Sequence, residues 1–163
     1  MARNHDFSEL KVLLVDDNYF MVQLLTHMMH AMGVRQIATA HDGKSAFDIF
    51  EDYAPGLIVS DWDMKPVNGE QLVRMLRDRD LSPDPYVPVI MLSGFSEVSR
   101  VMAARDFGVT EFLVKPISAK RLYQRLVNVI ERPRPFVDAT QYFGPCRRRD
   151  AANDFAGDER RSA

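Results

Sequence analysis

"LIVSDWDMKPVNG" (Leu57–Gly69) sets an apolar run directly against two acids, Asp61 and Asp63, with Trp62 between them. A short, continuous apolar run that follows Pro55-Gly56 reads as a strand buried on both faces, the kind found in parallel sheets. A carboxylate at the end of such a strand loses hydration, which is costly unless something keeps it charged. Three readings stand: a cation waits there, a phosphoryl group arrives there, or the acids open a turn.

The same pattern recurs outward from this stretch. "LKVLLV" (Leu10–Val15) runs into Asp16, Asp17 and Asn18, while "VIMLS" ends on Ser93 and "EFLV" on Val114, next to Lys115. "RQIATA" (Arg35–Ala40) completes five predicted strands. Between them apolar residues recur at helical spacing. Asn18 is a cap candidate for a helix whose stripe of Phe20, Met21, Leu24, Leu25, Met28, Met29 and Met32 is expected to face the core, with Gly33 as its stop. On that helix His27 and His30 are expected to face solvent rather than hold a metal. Further helices are predicted from Asp42 to Tyr53, across "GEQLVRMLRDRD" (Leu72, Val73 and Leu76 inward) and across "SEVSRVMAARDFG". The last is "SAKRLYQRLVNVIE", with Leu122, Leu126, Val129 and Ile130 on one face. Five strands alternating with five helices predict an α/β fold, a parallel sheet covered on both sides. About 120 residues for five such units favours an open, doubly wound, flavodoxin-like (βα)5 sheet of strand order 2-1-3-4-5 over a barrel.

Composition narrows the function classes. Of 163 residues, 46% are hydrophobic and 27% charged, enough for a real core and a soluble surface. A net charge of −2 gives no general attraction to nucleic acid or anionic membrane. Cys146 is the single cysteine, so no internal disulfide forms and a reducing compartment is expected. No apolar run is long enough for a membrane span, and "MARNHDFSEL" lacks the apolar middle of a signal peptide. The expectation is a cytoplasmic protein.

In a parallel sheet all strands end on one edge, where ligands bind. Asp16 and Asp17, Asp61, Ser93 and Lys115 therefore converge there. Neighbouring carboxylates repel and call for a counter-charge; a hard divalent ion with oxygen ligands suits them, Mg²⁺ above all. Lys115 adds a point charge, and the Ser93 hydroxyl can donate to an incoming oxyanion. Together these describe a phosphoryl acceptor site with Asp61 as the in-line nucleophile.

The segments "VLLVDDN", "LIVSDWDMKPVNG", "VIMLSG" and "FLVKPI" closely resemble the receiver domain of two-component response regulators, over roughly residues 10–131. The resemblance implies that Asp61 takes phosphate from a histidine kinase or a histidine phosphotransfer protein. It implies a Mg²⁺ site made by Asp17, Asp61 and the Asp63 carbonyl, with Asp16 assisting. It also implies switch roles for Ser93 and Phe112, a Lys115 that contacts the phosphoryl group, and a cis bond before Pro116. Output would pass through the face of the fourth helix, fifth strand and fifth helix to a downstream protein, from a monomer or a phosphorylation-dependent dimer. Two features depart from the family pattern. Lys65 stands where the family often has proline, with Pro66 after it, and Phe95 and Asp63 occupy positions that tune water access to the acyl phosphate. Trp62 is expected at the pocket rim.

"SDWDM" also fits the nucleophile motif of haloacid-dehalogenase-like phosphatases, but their second acidic motif comes late in the chain, and here the paired acids come first. A phosphorylation-independent adaptor is the other alternative. Residues 1–9 read as an extension and residues 132–163 as a partly disordered tail, too short for a DNA-binding output. The tail holds seven arginines against five acids, yet Phe136, Val137, Tyr142 and Phe143 are apolar enough to predict a docking segment.

Overall fold

The computed structural model describes residues 5–94 and 98–147. Strands β1 (Lys11–Val15), β2 (Gln36–Ala40), β3 (Leu57–Asp61), β4 (Val89–Ser93) and β5 (Glu111–Val114) alternate with five helices. These are α1 (Tyr19–Ala31), α2 (Gly43–Tyr53), α3 (Gly69–Arg77), α4 (Val98–Asp106) and α5 (Ala119–Glu131). The strands are parallel in the order β2-β1-β3-β4-β5. The flavodoxin-like (βα)5 expectation holds, and the register does the positioning. Val15 pairs with Ser60, Asp61 with Leu92, and Ser93 with Val114, so the strand ends come out level on one edge.

The central strands β3 and β4 are buried along their whole length, as their unbroken apolar runs require. Alternate residues feed two cores. Leu13, Val15, Ile58 and Met91 face α2, α3 and α4; Val12, Leu14, Val59, Ile90 and Leu92 face α1 and α5. Phe7, in the segment read as an extension, is buried in the second core against Tyr123.

Polar caps fix where the helices start. Asn18 accepts from the amides of Phe20 and Met21, Asp42 from Ser45, and Ser118 from Arg121. Asn68 and Gln71 form a capping box. α3 stops at Arg77, short of the predicted Asp80, because the Asp78 carboxylate captures the amides of Asp80 and Leu81 in a turn. The α4 prediction is met from Val98 onward; its first residues lie outside the described ones.

The stripe on α1 needs correction. Val22, Leu25 and Met29 are buried, whereas Phe20 is 80% exposed and Leu24 43%. Phe20 and Leu24 are one helical turn apart and share a side of α1 that the core does not cover, so periodicity that is right about the helix is wrong about the depth of its stripe. Ile130, in the last turn of α5, is likewise 43% exposed.

Residues 136–145, read as tail, form an antiparallel hairpin of β6 (Phe136–Ala139) and β7 (Tyr142–Pro145). The hairpin packs on the domain at the edge away from the acids. Phe136 and Phe143 meet Tyr86 edge-on, with ring centroids 4.9 and 5.4 Å apart. Arg79 pairs with Asp138 and lies over Phe143, and Arg147 pairs with Asp106 at the end of α4. Phe143→Ala is expected to cost about 2 kcal/mol, less than a full core deletion because the ring is half-buried. A urea midpoint unchanged from wild type would show that the hairpin adds nothing. Among the described residues no helix is long and apolar enough to cross a membrane.

Candidate functional site

The strand register brings Asp16, Asp17, Asp61 and Lys115 to one point. One carboxylate oxygen from each acid lies within 4.8 Å of the others. Asp16 and Asp61 are buried and Asp17 is exposed, so the cluster opens to solvent on one side. Lys115 Nζ lies 3.0 Å from Asp61 Oδ1 and 3.7 Å from Asp16 Oδ2. The lysine is placed by its backbone, whose amide donates to the Ser93 carbonyl at 2.7 Å and whose peptide bond to Pro116 is cis. The bond between Lys65 and Pro66 is cis as well, a feature the sequence reading did not anticipate.

Burial governs the electrostatics. It pushes the Asp16 carboxyl up to about 6, against the pull of the Asn18 amide, which donates to Asp16 Oδ1 at 2.8 Å; the Asp61 charge adds to the rise. Asp61 is also raised by burial, with Lys115 opposing through its hydrogen bond and its charge. Asp16 Oδ2 is fully buried and has no hydrogen-bond partner. Three acids face a single lysine, and one buried carboxylate oxygen makes no hydrogen bond, so the cluster is short of positive charge that a hard divalent cation with oxygen ligands would supply. The cluster is capable of holding such an ion.

The β3–α3 loop is held by its backbone. Trp62 donates its amide to Leu92 and accepts at its carbonyl from Gly69. A side chain on Gly69 would collide with the Asp61 carbonyl oxygen and sit 2.9 Å from Met91 Sδ, so only glycine lets α3 start this close to the acids. Trp62 is not at the rim. It is 7% exposed, edge-on to Phe107 and Phe112 at 5.3 and 6.2 Å between ring centroids. The intervening position in a strand-end turn points the indole inward while Asp61 faces the site.

Ser93 is buried at the end of β4, and Phe112 is half-buried on β5 with its ring against Trp62. The Asp63 side chain stands apart from the cluster and pairs with Arg100 of α4 at 2.8 Å. Phe95 lies outside the described residues. Sequence reasoning missed Arg100, since one arginine on a helix face carries no signal of a contact 37 residues away. Tyr19 and Phe20, just past Asp17, are 64% and 80% exposed and form an aromatic rim beside the acids.

Comparison with known proteins gives consistent results. A family model described as the response regulator receiver domain matches residues 12–127. The chemotaxis protein CheY of Pseudomonas aeruginosa is 28% identical over 124 residues, which are 76% of this chain and 98% of that one. Among solved structures, the receiver domain of a Francisella response regulator aligns with a TM-score of 0.68 at 28% identity, covering 76% of this chain and 98% of that one. A chain of the CheX-CheY-BeF3-Mg+2 complex from Borrelia burgdorferi aligns with a TM-score of 0.66 at 26% identity, covering 74% of this chain and 89% of that one.

Proposed function

Because the chain belongs to the response regulator receiver domain family, we propose that Asp61 is its phosphoryl acceptor and that the resulting acyl phosphate switches the output surface. Asp61 supports this role by being the one acid of the cluster paired closely with Lys115, at 3.0 Å. The Asp61 carboxylate attacks phosphorus in line, a P–N bond to a donor histidine breaks, and the imidazole keeps the bonding pair. Lys115 pairs with one phosphoryl oxygen and the Ser93 hydroxyl donates to another. Water later attacks the same phosphorus, releases inorganic phosphate and restores the carboxylate. The chemistry is thus the chain's own phosphorylation and dephosphorylation rather than turnover of a substrate. Mg²⁺ suits the site, with Asp16, Asp17, Asp61 and the Asp63 carbonyl as its protein ligands; when bound it neutralises charge on the phosphoryl oxygens.

The donor is a histidine kinase or histidine phosphotransfer protein. The exposed Tyr19, Phe20 and Leu24 beside the acids offer it an apolar footing. Movement of Ser93 toward the phosphoryl group frees space for Phe112 to turn inward. That change alters the α4–β5–α5 face seen by a downstream protein, which needs only a few kcal/mol between two states. Residues 10–131 form the receiver unit, and residues 132–163 a docking segment whose hairpin rests on that unit.

The test is incubation with acetyl phosphate and Mg²⁺. Wild type is expected to gain hydroxylamine-labile phosphate, and Asp61→Asn none. Labelling that persists in Asp61→Asn, or its absence from wild type, would remove the proposal.

A further inference from the structure

α4 sends Arg100 back to the loop that follows Asp61. Its guanidinium lies 4.2 Å from the centroid of the Trp62 ring, and Nη2 donates to Asp63 Oδ1 at 2.8 Å. A planar guanidinium can stack on an indole and hold a carboxylate at the same time, which an ammonium cannot do. The side chain of Arg100 is 20% exposed and that of Asp63 62%, so the cation is the sheltered member of the pair. Asp63 stands two residues beyond Asp61 on the same loop, so the pair sits next to the nucleophile in the chain.

We propose that Arg100 is a positioning residue for phosphoryl transfer: it holds Asp63 and cancels its charge where an anionic donor must pass. The proposal rests on the reading of Asp61 as acceptor and adds to it a control on the rate. Because its Asp63 end is 62% exposed, the ion pair contributes little to folding, so the effect of Arg100 is on the approach of charged species. Its sign is therefore opposite for anions and cations. With Arg100 present, a phosphoryl donor meets less repulsion, and a free divalent cation meets less attraction.

Four proteins test this: wild type, Arg100→Ala, Asp63→Asn and the double variant, each confirmed folded by its thermal melt. Mg²⁺ alone is titrated by calorimetry. Arg100→Ala should bind Mg²⁺ about threefold more tightly, Asp63→Asn about threefold more weakly, and the double variant close to wild type. With saturating Mg²⁺, acetyl phosphate should label Arg100→Ala about threefold more slowly and Asp63→Asn faster, with the double variant again returning toward wild type. A structural role for Arg100 would weaken both metal binding and labelling. That result, or no change in either, or a double variant that fails to return, overturns the proposal. If wild type accepts no phosphoryl group, the acceptor reading falls, and the Mg²⁺ titrations still decide for or against Arg100.

Discussion

Asp16→Asn is expected to raise the melting temperature of the metal-free protein at neutral pH while weakening Mg²⁺ binding about tenfold or more. The Asp16 carboxyl is 1% exposed, and burial lifts it to about 6 from an ordinary value near 3.8. A folded state that holds a proton more tightly than the unfolded chain is stabilised by that proton. The contribution is full below about 4 and is lost as pH rises through about 6. At pH 7 Asp16 therefore stands charged at a cost of roughly 2–3 kcal/mol. An amide of the same shape avoids that cost and keeps the acceptor for the Asn18 amide, losing only the long 3.7 Å pairing of Oδ2 with Lys115. The gain corresponds to a rise of about 5–8 °C. Wild type should likewise melt higher at pH 5 than at pH 7 without metal, and millimolar Mg²⁺ should flatten that dependence. Differential scanning fluorimetry and calorimetric titration check both halves. An Asp16→Asn protein that melts at or below wild type at pH 7 would contradict the electrostatic argument.

Arg77→Met is expected to destabilise the fold by about 3–5 kcal/mol, measured by urea unfolding. The side chain is 6% exposed. Its Nε donates to the Gly108 carbonyl at 3.0 Å, and Nη1 donates to Pro85 and Val87 at 2.9 and 2.7 Å. Burial lowers its pKa to about 10, still far enough above neutrality to keep the charge. Those three carbonyls come from the loop before β4 and the turn before β5, so one guanidinium stitches the ends of α3 and α4 together. The hairpin completes the enclosure, with Phe136 lying 5.2 Å from the guanidinium carbon. Methionine fills much of the volume but leaves the buried carbonyls of Val87 and Gly108 and the part-buried one of Pro85 without a donor. A loss below 1 kcal/mol would mean that water replaces the arginine without cost.

The contrast between these two residues shows what was legible in the sequence. Asp16 could be placed because a carboxylate after an unbroken apolar run has few physical readings, and strand parity carries it to a known edge. Asp61 and Lys115 followed by the same logic, and the family resemblance assigned them roles. Arg77 could not be placed, since on a helix rich in charged residues it is indistinguishable from Arg74, which faces solvent beside Glu70. The hairpin was missed for a related reason. Its strands are four residues each, pair only with one another, and are stabilised by Tyr86 and Arg79 from a distant loop. Their apolar residues gave the correct sense that the segment docks somewhere, but not the pairing. Trp62 was misplaced because adjacent acids suggested an open mouth, whereas the chain turns there and buries the middle residue.

That burial has a practical consequence. Trp62 is the only tryptophan in the chain, so under selective excitation the molecule emits from one place. The ring touches Phe107 just past α4, Phe112 on β5 and the cationic head of Arg100. Any rearrangement that draws α4 or β5 away from the β3–α3 loop changes the surroundings of that lone fluorophore, and the protein carries its own optical gauge of such a movement without a label.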